Sequence, residues 1–89
     1  MPRKQLRGLP VKAIVTVMPR KEVLDPQGEA VRTGLHALSY EEVLSARVGR
    51  YVELELDGNA VEVESRVRAM CEQLLANEVI EDFSFTIED

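Results

Sequence analysis

From Leu44 to Asp57 the chain alternates apolar and polar side chains over fourteen positions, and no other feature limits the fold as strongly. Leu44, Ala46, Val48, Val52, Leu54 and Leu56 share one parity. Ser45, Arg47, Gly49, Tyr51, Glu53, Glu55 and Asp57 share the other. A period of two puts successive side chains on opposite faces of a strand, so the run predicts a long, half-buried β-strand. The alternation passes through Gly49-Arg50 without slipping, which argues against a two-residue turn there, and only Arg50 interrupts the apolar row. Such a strand spans roughly 46 Å, whereas the helix predicted before it is about 21 Å long and cannot cover it. Either the strand bends at Gly49, or half of it lies outside its own domain and pairs elsewhere. An apolar overhang needs a partner, and a second copy of the chain, joined through an intersubunit sheet, is expected to supply it.

The flanking segments set the rest of the architecture. Lys12–Met18 is a β-branched apolar run with Ala13, Val15 and Val17 on one face and Ile14, Thr16 and Met18 on the other. That pattern suits a central strand or one covered on both sides, and Pro19 ends it by removing a ladder donor. Asp25-Pro26 starts a helix: the carboxylate accepts from unpaired backbone N–H groups, and proline is pre-set for the first helical position. Ala30, Val31, Gly34, Leu35 and Leu38 then recur at helical spacing to about Ser39. Gly28 and Gly34 each cost this helix up to about 1 kcal/mol relative to alanine, and both fit close approach of another backbone. Asp57-Gly58-Asn59 turns the chain. Asn59 with Glu62 forms a capping-box variant ahead of an amphipathic helix over about 60–76, whose apolar stripe is Val63, Val67, Met70, Cys71, Leu74 and Leu75. Asn77 suits a left-handed cap. Phe83, Phe85 and Ile87 alternate with Ser84, Thr86 and Glu88 in a closing strand. The order predicts an α+β fold, a two-layer β-α-β-α-β sandwich related to the ferredoxin-like arrangement, with the helices on one sheet face. If the long strand folds back at Gly49, it becomes the ferredoxin-like fold proper.

Eighty-nine residues suffice for one core, so residues 11–89 are expected to form a single domain behind a flexible basic extension at 1–10. A domain this small leaves much surface exposed, which favours subunit association. Residues 1–21 hold six basic side chains and no acid, while the remainder holds five arginines and all 16 acids, a balance of 5 − 16 = −11. The basic stretch lacks aromatic residues and the acidic body repels phosphate, so no nucleic-acid partner is expected. The single cysteine, Cys71, excludes an intrachain disulfide or a cysteine metal cluster and reads as a small core hydrophobe. No apolar run approaches a membrane span and no secretory signal follows the basic start, so a cytoplasmic location is expected.

A catalytic apparatus is not legible. His36, the only histidine, stands with no acid, serine or cysteine in a triad pattern and is expected to be structural or solvated. Glu53 and Glu55 read as an outward charged row rather than a cation site. The glycines at 28, 34, 49 and 58 match no phosphate-binding spacing, and Asp25 places a carboxylate where an anion would dock. No catalytic, cofactor-binding or metal-ligating residue is therefore assigned. What stands out is the group around Gly49. Arginine and tyrosine are favoured at interface cores, which makes Leu44, Arg47, Val48, Gly49, Arg50, Tyr51 and Val52 the candidate subunit interface.

Several of these segments together resemble one family. Lys12-Ala13-Ile14-Val15-Thr16-Val17, then Val23-Leu24-Asp25-Pro26-Gln27-Gly28, then Val48-Gly49-Arg50-Tyr51-Val52-Glu53-Leu54 and Met70-Cys71-Glu72-Gln73-Leu74-Leu75-Ala76-Asn77 resemble PurS, the small subunit of phosphoribosylformylglycinamidine synthase. Leu35-His36-Ala37-Leu38 and Val79-Ile80-Glu81-Asp82-Phe83 extend the likeness, which covers residues 11–88. Departures fall in loops and caps: residues 1–10, a longer loop at Pro19–Glu22, Ser39 where the family often has glycine, and Glu78 where it often has proline. The resemblance implies a homodimeric, non-catalytic subunit that joins a glutaminase subunit to a large synthetase subunit in purine biosynthesis. ATP and magnesium would then be used by the large partner, and none by this chain. The competing readings are an independent small enzyme, for which a convergent polar site is missing, and a small-molecule-binding regulatory module.

Overall fold

A computed structural model of the chain describes residues 10–88. The extension expected at 1–10 thus lies outside the described residues except for Pro10. Strand β1 (Val11–Pro19) leads into helix α1 (Pro26–Ala37); strand β2 (Arg50–Leu56) is followed by helix α2 (Ala60–Met70), a π-helical turn (Cys71–Leu75) and strand β3 (Glu81–Glu88). The three strands form one antiparallel sheet in the order β2-β1-β3. The centre falls to β1, the strand with apolar side chains on both faces, as its sequence predicts. Register places Val15 opposite Val52 on one side and Phe85 on the other.

The core forms where period two meets period 3.6. Val11, Ala13, Val15 and Val17 of β1 are buried on one sheet face, flanked by Val52, Leu54 and Leu56 of β2 and Phe83, Phe85 and Ile87 of β3. Helix α2 lays Val63 and Val67 over that face, and Cys71 and Ala76 continue the cover. Each fully buried valine contributes about 1.5 kcal/mol or more relative to exposure. Burial also pushes the Cys71 thiol above its ordinary range, as expected of a cysteine acting as a core hydrophobe. Asn59 caps α2 by accepting from the Glu62 N–H at 2.9 Å, and Arg68 closes the cover by lying 5.1 Å over the Phe85 ring.

Three sequence expectations are sharpened or corrected. The strand expected over Leu44–Asp57, with a bend at Gly49 or with half of it outside its own domain, has a ladder within the chain only from Arg50 to Leu56, while residues 43–49 are neither strand nor helix. Alternation reports which way side chains face, whereas a ladder also needs a neighbouring backbone. On its β2 edge, β1 supplies partners only as far as Val17, which pairs with Arg50. Secondly, the helices do not both lie on the sheet. Helix α2 covers β1 and β3, but α1 makes at most glancing contact with the other elements. Because β1 and β2 are antiparallel neighbours, the chain between them leaves and re-enters at the same end of the sheet and need not cross its face. The result is a long molecule, 54 × 26 × 21 Å, with a radius of gyration of 17.6 Å where a compact chain of this length has about 12 Å. Thirdly, Asn77 takes no left-handed cap, since Ser39 is the only non-glycine residue with positive φ among those described. The end of α2 widens into the π turn, closed by the Ala76 N–H on the Cys71 carbonyl, and Asn77 instead accepts from the Val79 N–H.

Candidate subunit interface

Helix α1 and the segment 43–49 form a narrow hairpin that projects from the end of the sheet, and three contacts hold its two limbs together. At the base, Asp25 caps α1 by accepting from the Gly28 N–H at 3.0 Å, and its second oxygen accepts from the Val48 N–H at 2.9 Å. Those bonds, the Gly28 one foremost, hold its carboxyl below the ordinary range. In the middle, Gly28 is buried against the returning limb, where an added Cβ would lie 2.1 Å from the Ala46 carbonyl oxygen. Toward the tip, His36 Nε2 sits 2.7 Å from the Val43 carbonyl and Nδ1 sits 3.4 Å from Arg32. A neutral ring with its proton on Nε2 satisfies both, which makes His36 a structural pin. The α1 end is a Schellman turn: Ser39 donates to the His36 carbonyl, Tyr40 to that of Leu35, and Ser39 adopts φ 79°.

The residues expected around Gly49 divide between internal work and free surface. Gly49 itself is pressed against β1, where a Cβ would lie 2.2 Å from the Val17 carbonyl oxygen. The Val48 N–H is held by Asp25, and Arg47 donates to the Pro19 carbonyl. Val52 is half-buried against the core. Arg50 interrupts the apolar row because it closes the sheet end. Its guanidinium meets both oxygens of Glu81 at 2.9 Å and the Leu75 carbonyl at 2.7 Å. The same carboxylate accepts from the Asn77 N–H, and these bonds, that to Arg50 first, lower the Glu81 carboxyl. Of the seven, Leu44 and Tyr51 are the large exposed side chains not engaged by another element, and they lie on different surfaces. Leu44 is 89% exposed on the hairpin, whereas Tyr51 is on the sheet face turned away from α2 and donates to Glu53.

Sequence reasoning did not foresee a further exposed apolar surface, on α1. The α1 stripe, read as the face that would meet the sheet, points into open space. Val31 is 44% and Leu38 69% exposed, Ala30 is exposed, and a Cβ added at Gly34 would meet nothing within 4 Å. The helical period was present in the residues, but nothing in it said which body the stripe faces. Glu53 and Glu55 are exposed as an outward row, and no group of histidine, cysteine and acidic side chains suited to a metal ion occurs among the described residues.

Comparison with known proteins finds relatives of both the sequence and the fold. The family model for PurS, phosphoribosylformylglycinamidine (FGAM) synthase, matches residues 12–89. The chain belongs to the PurS family. It is 44% identical over 78 residues to the phosphoribosylformylglycinamidine synthase subunit PurS of Bacillus subtilis, an alignment covering 88% of this chain and 93% of the relative. A solved PurS structure from B. subtilis superposes with a TM-score of 0.82 at 43% identity, covering 89% of this chain and 99% of that one. A structure of PurLQS from Thermotoga maritima contains a chain similar at TM-score 0.77 and 28% identity, covering 89% and 99%. The α+β architecture and the PurS resemblance read from the residues are thus both upheld. Ser39, which stands where the PurS pattern often has glycine, occupies the left-handed position that explains that preference.

Proposed function

We propose that this chain is the non-catalytic connecting subunit of a phosphoribosylformylglycinamidine synthase in purine biosynthesis, acting as a homodimer between a glutaminase and a large ATP-dependent synthetase. Family membership supports the enzyme, and the similarity to a chain of PurLQS supports partner subunits. The structural observation that carries a connecting role is the hairpin: bonded internally through Asp25, Gly28 and His36, it presents an uncovered apolar side. Surfaces of that kind mark protein contacts. Ammonia released from glutamine is largely protonated near neutral pH and diffuses away, so two active sites sharing it must be held together and shielded. In this reading ATP and magnesium bind the large partner, and the enzyme works in the cytoplasm. No helix among the described residues is long and apolar enough to cross a membrane.

Reconstitution tests this directly. Glutamine-driven turnover by the two larger subunits should require the chain, while ammonia-driven turnover should depend on it much less. Equal loss with both nitrogen sources in an intact complex would mean participation in the synthetase step instead. Leu44→Glu and Tyr51→Glu are the informative interface variants, each expected to weaken assembly tenfold or more, about 1.4 kcal/mol. Arg50→Glu is unsuitable, because it would face Glu81 inside the same chain.

A further inference from the structure

The sheet has a second face, opposite the one that α2 covers. Ala13, Val15 and Val17 point toward α2, so Lys12, Ile14 and Thr16 point the other way, half-buried between the exposed rows Tyr51, Glu53, Glu55 and Ser84, Thr86, Glu88. Register sets these side chains in lines across the strands. Glu55, Lys12 and Glu88 stand at the end where the chain enters the sheet, then Glu53, Ile14 and Thr86, then Tyr51, Thr16 and Ser84. Three carboxylates thus surround one ammonium, and among the described residues no ion pair engages Glu53, Glu55 or Glu88. Partial desolvation, and then the charges of Glu53 and Glu88, push the Tyr51 phenol above its ordinary range. An antiparallel sheet tolerates one wet face, so exposure alone requires no occupant; the charge is what selects one.

The complementary charge lies in this same chain. Residues 1–9 carry Arg3, Lys4 and Arg7 and no acid, and they join β1 through Pro10, next to the line of Glu55, Lys12 and Glu88. Gly8 and Pro10 are residue types that reverse a chain. Beyond them, residues 1–7 reach roughly 23 Å when extended, whereas Lys12 to Thr16 spans about 13 Å. We propose that residues 1–7 fold back over this outer face of their own sheet and set the three cations among Glu53, Glu55 and Glu88. Each exposed charge pair is weak, but tethering raises the effective concentration to the order of millimolar, so several weak pairs act together. The fold-back gives the chain a built-in cover that keeps its acidic face from other basic surfaces.

A spin label on Gln5→Cys tests this in the full-length, isotope-labelled chain, where native Cys71 is buried and stays unmodified. At about 0.1 M salt the amides of Ile14, Glu53 and Thr86 should lose roughly half or more of their intensity, far more than Glu64 and Ser65 of α2, and the difference should vanish near about 1 M salt. Glu53→Gln/Glu55→Gln should abolish most of that loss without unfolding the chain, since both side chains are exposed. Even broadening of both faces would mean that the arm has no seat on the sheet, and it would overturn the proposal. A loss indifferent to salt and to the glutamine pair would overturn it equally. Mixing spin-labelled chain without isotope with isotope-labelled chain without spin label should give little broadening. A full effect in that mixture would seat the arm on another copy and refute the contact within one chain.

Discussion

The sheet with α2 and the hairpin of α1 with residues 43–49 are built from the same chain by different forces. In the body, buried valines, Cys71 and Ala76 exclude water, and half-buried leucines and phenylalanines surround them. In the hairpin the only buried residue of α1 is Gly28, and cohesion comes from directed polar bonds at Asp25 and His36. An apolar core is a reason for a body to stand by itself. Polar bonds fix a shape without using up apolar surface, so the hairpin is pre-shaped with its apolar side still uncovered. Preordering of that kind lowers the entropic cost of association.

The comparison breaks most readily at Gly28. Gly28→Val forces side-chain atoms into the Ala46 carbonyl and should cost about 3 kcal/mol. Limited proteolysis should then cut within residues 40–49 while β1 amides stay protected against exchange. Stability equal to wild type would mean that the limbs do not pack as described.

In the body, Val67→Ala should lower global stability by about 2 kcal/mol in chemical denaturation, since it empties a fully buried site. Val31→Ala should leave the isolated monomer within about 0.5 kcal/mol of wild type. Equal effects would show that α1 belongs to the same core as α2.

Acidification should separate the regions next. The Asp25 carboxyl titrates below its ordinary value of 3.8 when folded, through its bonds to Gly28 and Val48. Its contribution is therefore complete above about pH 4 and is lost as pH falls through the lower folded value. Carboxylate titration followed by NMR should give a midpoint under 3.8, accompanied by shifts at the Gly28 and Val48 amides. A midpoint at or above 3.8 would remove Asp25 as the brace of the hairpin.

A small gain is expected at the helix end. Ser39→Gly relieves a left-handed serine and should raise stability by about 0.5–1 kcal/mol, with the unfolded-state entropy of glycine offsetting part of the gain. Thermal denaturation would detect it, and a lower midpoint would show that the Ser39 side chain makes a contact worth more than the strain.

Much of the body was legible from local pattern. The two-faced apolar run of β1 indicated the central strand, Asp25-Pro26 and Asn59 marked both helix starts, and the stripe through Val63, Val67 and Cys71 identified the covering helix. Near the candidate interface, residue type singled out a group of side chains but not their partners within the chain. Arg50 read as an interface arginine, yet Glu81, 31 positions away, neutralises it within the chain. Tyr51 and Leu44 looked like one patch because they are close in sequence, and they lie on separate surfaces.

By itself the sequence determined the order of the elements, the N-caps of both helices, the family and the periodicities, because these depend on residues a few positions apart. Only the tertiary structure decided where each apolar stripe faces. Val31 and Val67 occupy equivalent stripes on two amphipathic helices, yet one is 44% exposed and the other buried. The difference comes from strand order: an antiparallel β1–β2 pair lets the connecting chain stay beyond the sheet end, whereas the chain from β2 to β3 lays α2 over the core. Hydrophobic periodicity specifies that a face will be buried; which surface buries it is a property of topology and of partner chains.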